Sequence, residues 1–249
     1  MTRASGNSFN ELIRNSATVV TDGFLEWLEQ REERPFFGFL NYYDAHTYYI
    51  APPPHDTQFG ALSPHIRDWY LRRDWGESEQ QGFVDAYDGC IAYIDVEIGR
   101  LVDELDRRGV LDNTVIVVVS DHGELFWEHG LTEHGNCLYR PVLHVPLLVV
   151  DPRNPGAGRR IERPVSLRDV PATVLDVLGL DAGALPGESL RGLWESGAGS
   201  VEPSPLWAEV SKGIGTAEWA PHSKGDMKAL IDAGLHYIRN GDGVEELYD

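Results

Sequence analysis

Between residues 115 and 135 the chain reads VIVVVSDHGELFWEHGLTEHG, which sets Asp121, Glu124, Glu128 and Glu133 among His122, His129 and His134. Carboxylates this close raise one another's energy unless a cation sits among them or water separates them. An aspartate oxygen and an imidazole nitrogen on successive residues suit a divalent cation. A second polar pair, Asp44 and His46, follows another apolar run, FFGFLNYY. Spacing alone leaves two readings of Asp121-His122 open. It is either a metal-binding pair or a helix N-cap followed by a hydrogen-bonded core histidine.

Such groups need rigid elements to position them. The uniformly apolar runs FFGFL, VIVVV and VPLLVV (145–150) predict three strands buried on both faces. Phe83, Tyr87, Ile91, Ile94, Ile98, Leu101 and Leu105 recur at helical spacing. They predict a helix over 79–107 with Ile91, Ile94, Ile98 and Leu101 facing the sheet and Gly109 at its stop. A helix over 18–31 carries Phe24, Leu25 and Leu28. RDVPATVLDVLGL predicts a third, with Asp169 as candidate N-cap, Pro171 in its first turn and Gly179 at its end. Strands alternating with helices predict an α/β fold, a mostly parallel sheet sandwiched by helices.

After residue 200 the texture changes to PLWAEV, MKALI and LHYIRNGDGVEELYD, which predict a small C-terminal antiparallel sheet with NGDG as a hairpin turn. The domain reading is therefore an α/β domain over 1–200 and an antiparallel subdomain over 201–249, joined through WESGAGSVEPSP. Residues 47–78, with Trp69, Trp75 and four prolines, read as an irregular excursion. In a parallel sheet ligands gather outside the carboxyl ends of the strands. Asp44, His46, Ser120, Asp121 and His122 are expected at that edge, with His134 facing them.

Composition narrows the partners. A net charge of −19, with only three Lys among 21 basic residues, argues against a nucleic-acid partner. That charge reads most simply as a biased genome or a saline habitat. No apolar run is long enough for a membrane span, and the opening MTRASGNSFNELIRNSA has no apolar signal region. Cys90 and Cys137 are too few for a disulfide framework and lie in no CxxC spacing. Cys90 falls on a helix face and reads as a small core residue. His144, in VLHVP, reads as a packed histidine at a strand start; His55 and His65 have no motif behind them.

TVIVVVSDHGE, HGLTEHGNCLYRPVLHVPLLVVDP and VSLRDVPATVLDVLGL resemble, in wording and order, the sulfatase family of the alkaline phosphatase superfamily. PFFGFLNYYDAHTYY and LHYIRNGDGVEELYD are similar to its aspartate–x–histidine block and its C-terminal hairpin, extending the resemblance over roughly residues 16–249. The resemblance implies hydrolysis of a sulfuric ester of a small molecule or sugar, assisted by a divalent metal. Asp121 and His122 match the metal-binding pair, usually for calcium. His46 matches a histidine that contacts the sulfate and protonates the leaving oxygen, and His134 stands where the family has a Lys or His on the same sulfate. Glu124, Glu128, Glu133 and His129 are expected as loop, capping or supporting groups. A phosphodiesterase or phosphoglycerol transferase of the same superfamily, using manganese or zinc, and a non-catalytic pseudoenzyme or split subunit are the competing readings.

The chain departs from the family pattern at one place. It contains no Asp-Asp pair and no Cys/Ser-x-Pro-x-Arg, where the family carries further metal ligands and the residue converted to formylglycine. The expectation is a partial sulfatase, about the C-terminal two-thirds, inactive alone and completed by an N-terminal segment or partner chain.

Overall fold

The computed structural model describes residues 14–31, 34–67, 74–154, 158–181, 183, 185–195 and 204–249. Trp69 and most of the 194–205 linker lie outside the described residues. The chain forms two compact units, 1–112 and 113–249.

The first unit is built on two helices, α1 (Ala17–Gln30) and α2 (Glu77–Arg107). Ser16 caps α1 by accepting the Val19 N–H, and Ala17, Thr21, Leu25 and Leu28 form its buried stripe. Helix α2 occupies nearly the expected span and ends before Gly109, whose φ of 67° is the left-handed conformation of a helix stop. Its buried face differs from the expected one. Phe83, Ala86, Gly89, Cys90, Tyr93, Glu97 and Leu105 are buried, whereas Ile91 is 44% exposed and Ile94, Ile98 and Leu101 are half-buried. At one point the packing is close: a Cβ on Gly89 would stand 2.3 Å from the His55 carbonyl oxygen, so that position of the buried face takes no side chain.

Between the helices runs a polar chain. The Tyr93 hydroxyl lies 2.6 Å from Thr18 Oγ1, which donates to Glu97 at 2.8 Å. Arg100 donates twice to the other Glu97 oxygen, at 2.9 and 2.7 Å, and bridges to Asp22. Arg100→Ala would strand a carboxylate that is 8% exposed. We expect a loss of about 2–3 kcal/mol, below the ~3–5 kcal/mol of a fully buried pair because the Arg100 side chain is one-third exposed. A urea midpoint shift at constant m-value checks it.

The segment 34–43 forms no strand and pairs with none among the described residues. Phe36 packs on Phe24 and Trp27, while Phe37 and Phe39 are 76% and 84% exposed. The expected first strand is therefore corrected: an apolar run sets a demand for burial, but a strand also needs a neighbour's hydrogen-bonding edge.

In the second unit, β1 (Ile116–Val119) pairs with β4 (Leu147–Val150), and the pair is antiparallel, Val117 opposite Val149. The mostly parallel sheet is not observed: every ladder among the described residues is antiparallel. Helix α4 (Asp169–Val177) covers one face, with Val170, Thr173 and Val174 against Val117, Leu147 and Val149. On the other face Leu148 and Val150 are about half exposed, so these strands are not buried on both sides. Asp169 begins α4 without capping it; its carboxylate accepts the N–H groups of Ser166 (3.2 Å) and Glu188 (3.0 Å).

The expected C-terminal antiparallel sheet is present as β5 (Leu206–Val210), β6 (Met227–Asp232), β7 (Leu235–Arg239) and β8 (Glu245–Tyr248), in that order. NGDG makes the β7–β8 turn, closed by Asn240 N–H to Val244 O at 2.8 Å. Met227, Ala229 and Ile238 of this sheet share one core with Leu125, Leu131, Cys137, Leu138 and Val142. The sheet thus backs the loops that carry the histidines.

Candidate active site

The stretch after β1 is held at both ends. Ser120 Oγ donates to the His122 carbonyl at 2.6 Å, and Gly123 N–H donates to Val142 O at 2.9 Å. No helix follows Asp121, which removes the capping reading. Its carboxylate is 88% exposed and accepts the His122 N–H at 3.0 Å.

His122 Nδ1 lies 2.8 Å from the Gly123 carbonyl. A carbonyl only accepts, so Nδ1 carries the proton and, in the neutral ring, Nε2 holds the lone pair. That nitrogen stands 3.8 Å from Asp121 Oδ1, within the reach of two metal–ligand bonds of about 2.3 Å each. The donors and the tautomer therefore fit a divalent cation. They are only two candidate donors; among the described residues no group of three His, Cys, Asp or Glu could hold one.

A two-rung hairpin brings in His134. Strand β2 (Leu125–Phe126) pairs with β3 (Thr132–Glu133) in the register Leu125↔Glu133 and Phe126↔Thr132. One step further along the same register sets Glu124 opposite His134. His134 Nδ1 is 3.1 Å from each Glu124 oxygen, and its ring stacks on His122 with centroids 4.0 Å apart. Glu124, expected only as a loop, capping or supporting group, supports His134; the sequence did not name that partner. The signal was ELF-WEHG-LTEH, two short apolar steps about a turn.

The Glu124 hydrogen bond raises the His134 pKa above the ordinary histidine value, outweighing burial, with the charges of Glu124, Glu133 and Asp121 adding to it. A raised folded-state pKa stabilises the fold fully below the unfolded value, and that contribution is lost as pH rises through the folded value. Glu124→Gln should lower the His134 pKa and remove this low-pH contribution; an NMR titration of the ring reads it directly. An unmoved titration would separate the two residues.

The other members of the run hold the loop. Glu128 accepts the Phe126 N–H at 2.6 Å. His129, at a left-handed φ of 55°, stacks on Tyr139 at 3.7 Å. Cys90 and Cys137 are buried, and burial pushes their thiols up to about 12 and about 11, so both are inert core groups. His144, expected to be packed, is exposed at the end of the short helix α3 (Arg140–Leu143), where the chain leaves the core.

His46 belongs to the first unit. Its Nδ1 donates to Thr47 O at 3.0 Å, its ring stacks on Tyr43, and Arg14 clamps the carbonyls of His46 and Tyr48 at 3.1 Å each. Asp44, two residues before, is buried, and burial raises its pKa against the nearby Arg14 charge.

Comparison with known proteins bears on the family of the chain. The sulfatase family model matches residues 2–180. A sulfatase of Formosa agariphila is 30% identical over 172 residues, covering 69% of this chain and 31% of its own length. The choline-sulfatase of Rhizobium meliloti is 36% identical over 165 residues, 66% of this chain and 30% of that protein. The phosphonate monoester hydrolase of Silicibacter pomeroyi superposes on 94% of this chain and 54% of its own, with a TM-score of 0.81 at 23% identity, a likeness of fold. The chain spans about a third of the length of these two curated relatives. With a family model spanning well over half of it, from ahead of α1 to the end of α4, this chain belongs to the sulfatase family.

Proposed function

We propose that this chain supplies the metal-binding and sulfate-binding half of a sulfuric ester hydrolase, with Asp121 and His122 as ligands of a divalent cation, calcium by preference. The observation that carries this reading is the pairing of a fixed His122 tautomer with a stacked, Glu124-bonded His134. When bound, the cation supplies Lewis-acid polarisation of a sulfate oxygen. His134, whose pKa the Glu124 hydrogen bond raises, would orient the sulfate through Nε2–H and, when protonated, balance its charge. For His46 the family resemblance implies the role of proton donor to the leaving oxygen; with Nδ1 donating to Thr47 O, Nε2 would carry that proton only in the imidazolium form.

The sequence holds no Cys/Ser-x-Pro-x-Arg, so the nucleophile comes from polypeptide outside it, in the same protein or in a partner. The substrate is a sulfated small molecule or sugar; the name of the choline-sulfatase relative supports the small-molecule class. The phosphonate monoester hydrolase fold neighbours make phosphonate esters the comparison substrate.

Calorimetric titration of the 249-residue chain with calcium tests the site. Weak binding is expected, with a Kd of about 10⁻⁴–10⁻³ M, abolished by Asp121→Ala or His122→Ala. The chain alone should not turn over an aryl sulfate, and adding a family N-terminal segment with its formylglycine should restore turnover. Hydrolysis by the chain alone, lost in Asp121→Ala, would show a nucleophile within it and overturn this division of labour.

A further inference from the structure

A cavity of about 320 Å³ opens in the second unit, between the segment before α4, the 187–190 stretch and the start of β5. Arg163, Ser166, Arg168, Glu188 and Trp207 are among its lining residues, and none of the lining residues belongs to the 120–134 site. Its walls are preformed. Asp169 ties Ser166 to Glu188 through two backbone N–H groups, and Thr173 Oγ1 accepts the Leu190 N–H at 2.9 Å. The backbones touch at Gly187, where a Cβ would stand 2.1 Å from the Arg168 carbonyl oxygen.

Its chemistry is specific. Trp207 is 62% exposed although its strand is paired along its length with β6, so the indole is a platform rather than core. Arg163 and Arg168 line the same cavity, in a chain whose net charge is −19. Because Asp169 is consumed by its two backbone bonds, Glu188 is the exposed carboxylate of the groove. An aromatic face takes the C–H face of a sugar ring, guanidinium groups take a sulfate in a bidentate manner, and a carboxylate accepts sugar hydroxyls.

We propose that this groove binds a sulfated saccharide unit, a holding site for a longer sugar chain separate from the hydrolytic residues. The sulfate in this assignment rests on the sulfatase reading; the saccharide rests on the groove itself. The cavity volume lies at the lower end of ligand-sized pockets, matching one or two rings.

Titration of the full chain with a sulfated glucosamine–uronate disaccharide, its desulfated counterpart and inorganic sulfate tests the proposal. The sulfated disaccharide should bind, at least tenfold more weakly to Trp207→Ala and to Arg168→Gln, and unchanged to His122→Ala. Both groove residues are exposed, so the variants should keep the parent circular dichroism. Equal binding of the desulfated sugar would remove the sulfate and, with it, the link to the sulfatase reading. Absence of binding, binding indifferent to Trp207→Ala, or binding lost only in His122→Ala would overturn the groove. Failure of sulfate-ester hydrolysis after the N-terminal segment with its formylglycine is supplied, with groove binding intact, would instead count against the proposed reaction alone.

Discussion

Leu125→Ala should destabilise the protein by about 2–5 kcal/mol, the range for emptying a filled core position. Leu125 is fully buried and packs in the cluster that joins the 125–142 loops to β6 and β7. It is also the first rung of the β2–β3 hairpin, and the residue before it is Glu124. The variant should therefore unfold at lower denaturant and also weaken the Glu124–His134 pair, read as a lower His134 pKa in the folded protein. Lost stability with an unaltered His134 titration would show that the hairpin register does not depend on this core.

Gly123→Ala should cost about 3 kcal/mol, the upper end for forcing atoms into a packed site. A Cβ there would stand 1.9 Å from the Pro141 carbonyl oxygen and 3.3 Å from the Val142 Cα. Backbone cannot swing aside as a flexible side chain would, and retreat breaks the Gly123 N–H bond to Val142 O. Because His122 Nδ1 is fixed by the Gly123 carbonyl, movement there also frees the imidazole. Calcium affinity should fall along with the denaturation midpoint. A variant with parent stability and parent calcium affinity would refute this packing.

Much of this molecule follows from local rules. The span of α2, its stop at Gly109, the C-terminal sheet and its NGDG turn need only periodicity and turn chemistry, which neighbouring residues determine by themselves. The SDHG and TEHG motifs were legible because each occupies consecutive residues. Tertiary structure decided the rest. On the buried face of α2, how closely the His55 backbone approaches Gly89 is a distance that side-chain hydrophobicity does not encode. Whether FFGFL becomes a strand depended on a partner edge, and β1 and β4 run antiparallel because the 120–146 segment folds back instead of crossing over. The pairing of Glu124 with His134 depended on a hairpin register of two rungs, too short to leave a periodic trace. Periodicity reports what each residue prefers; only the fold supplies the neighbour that satisfies it.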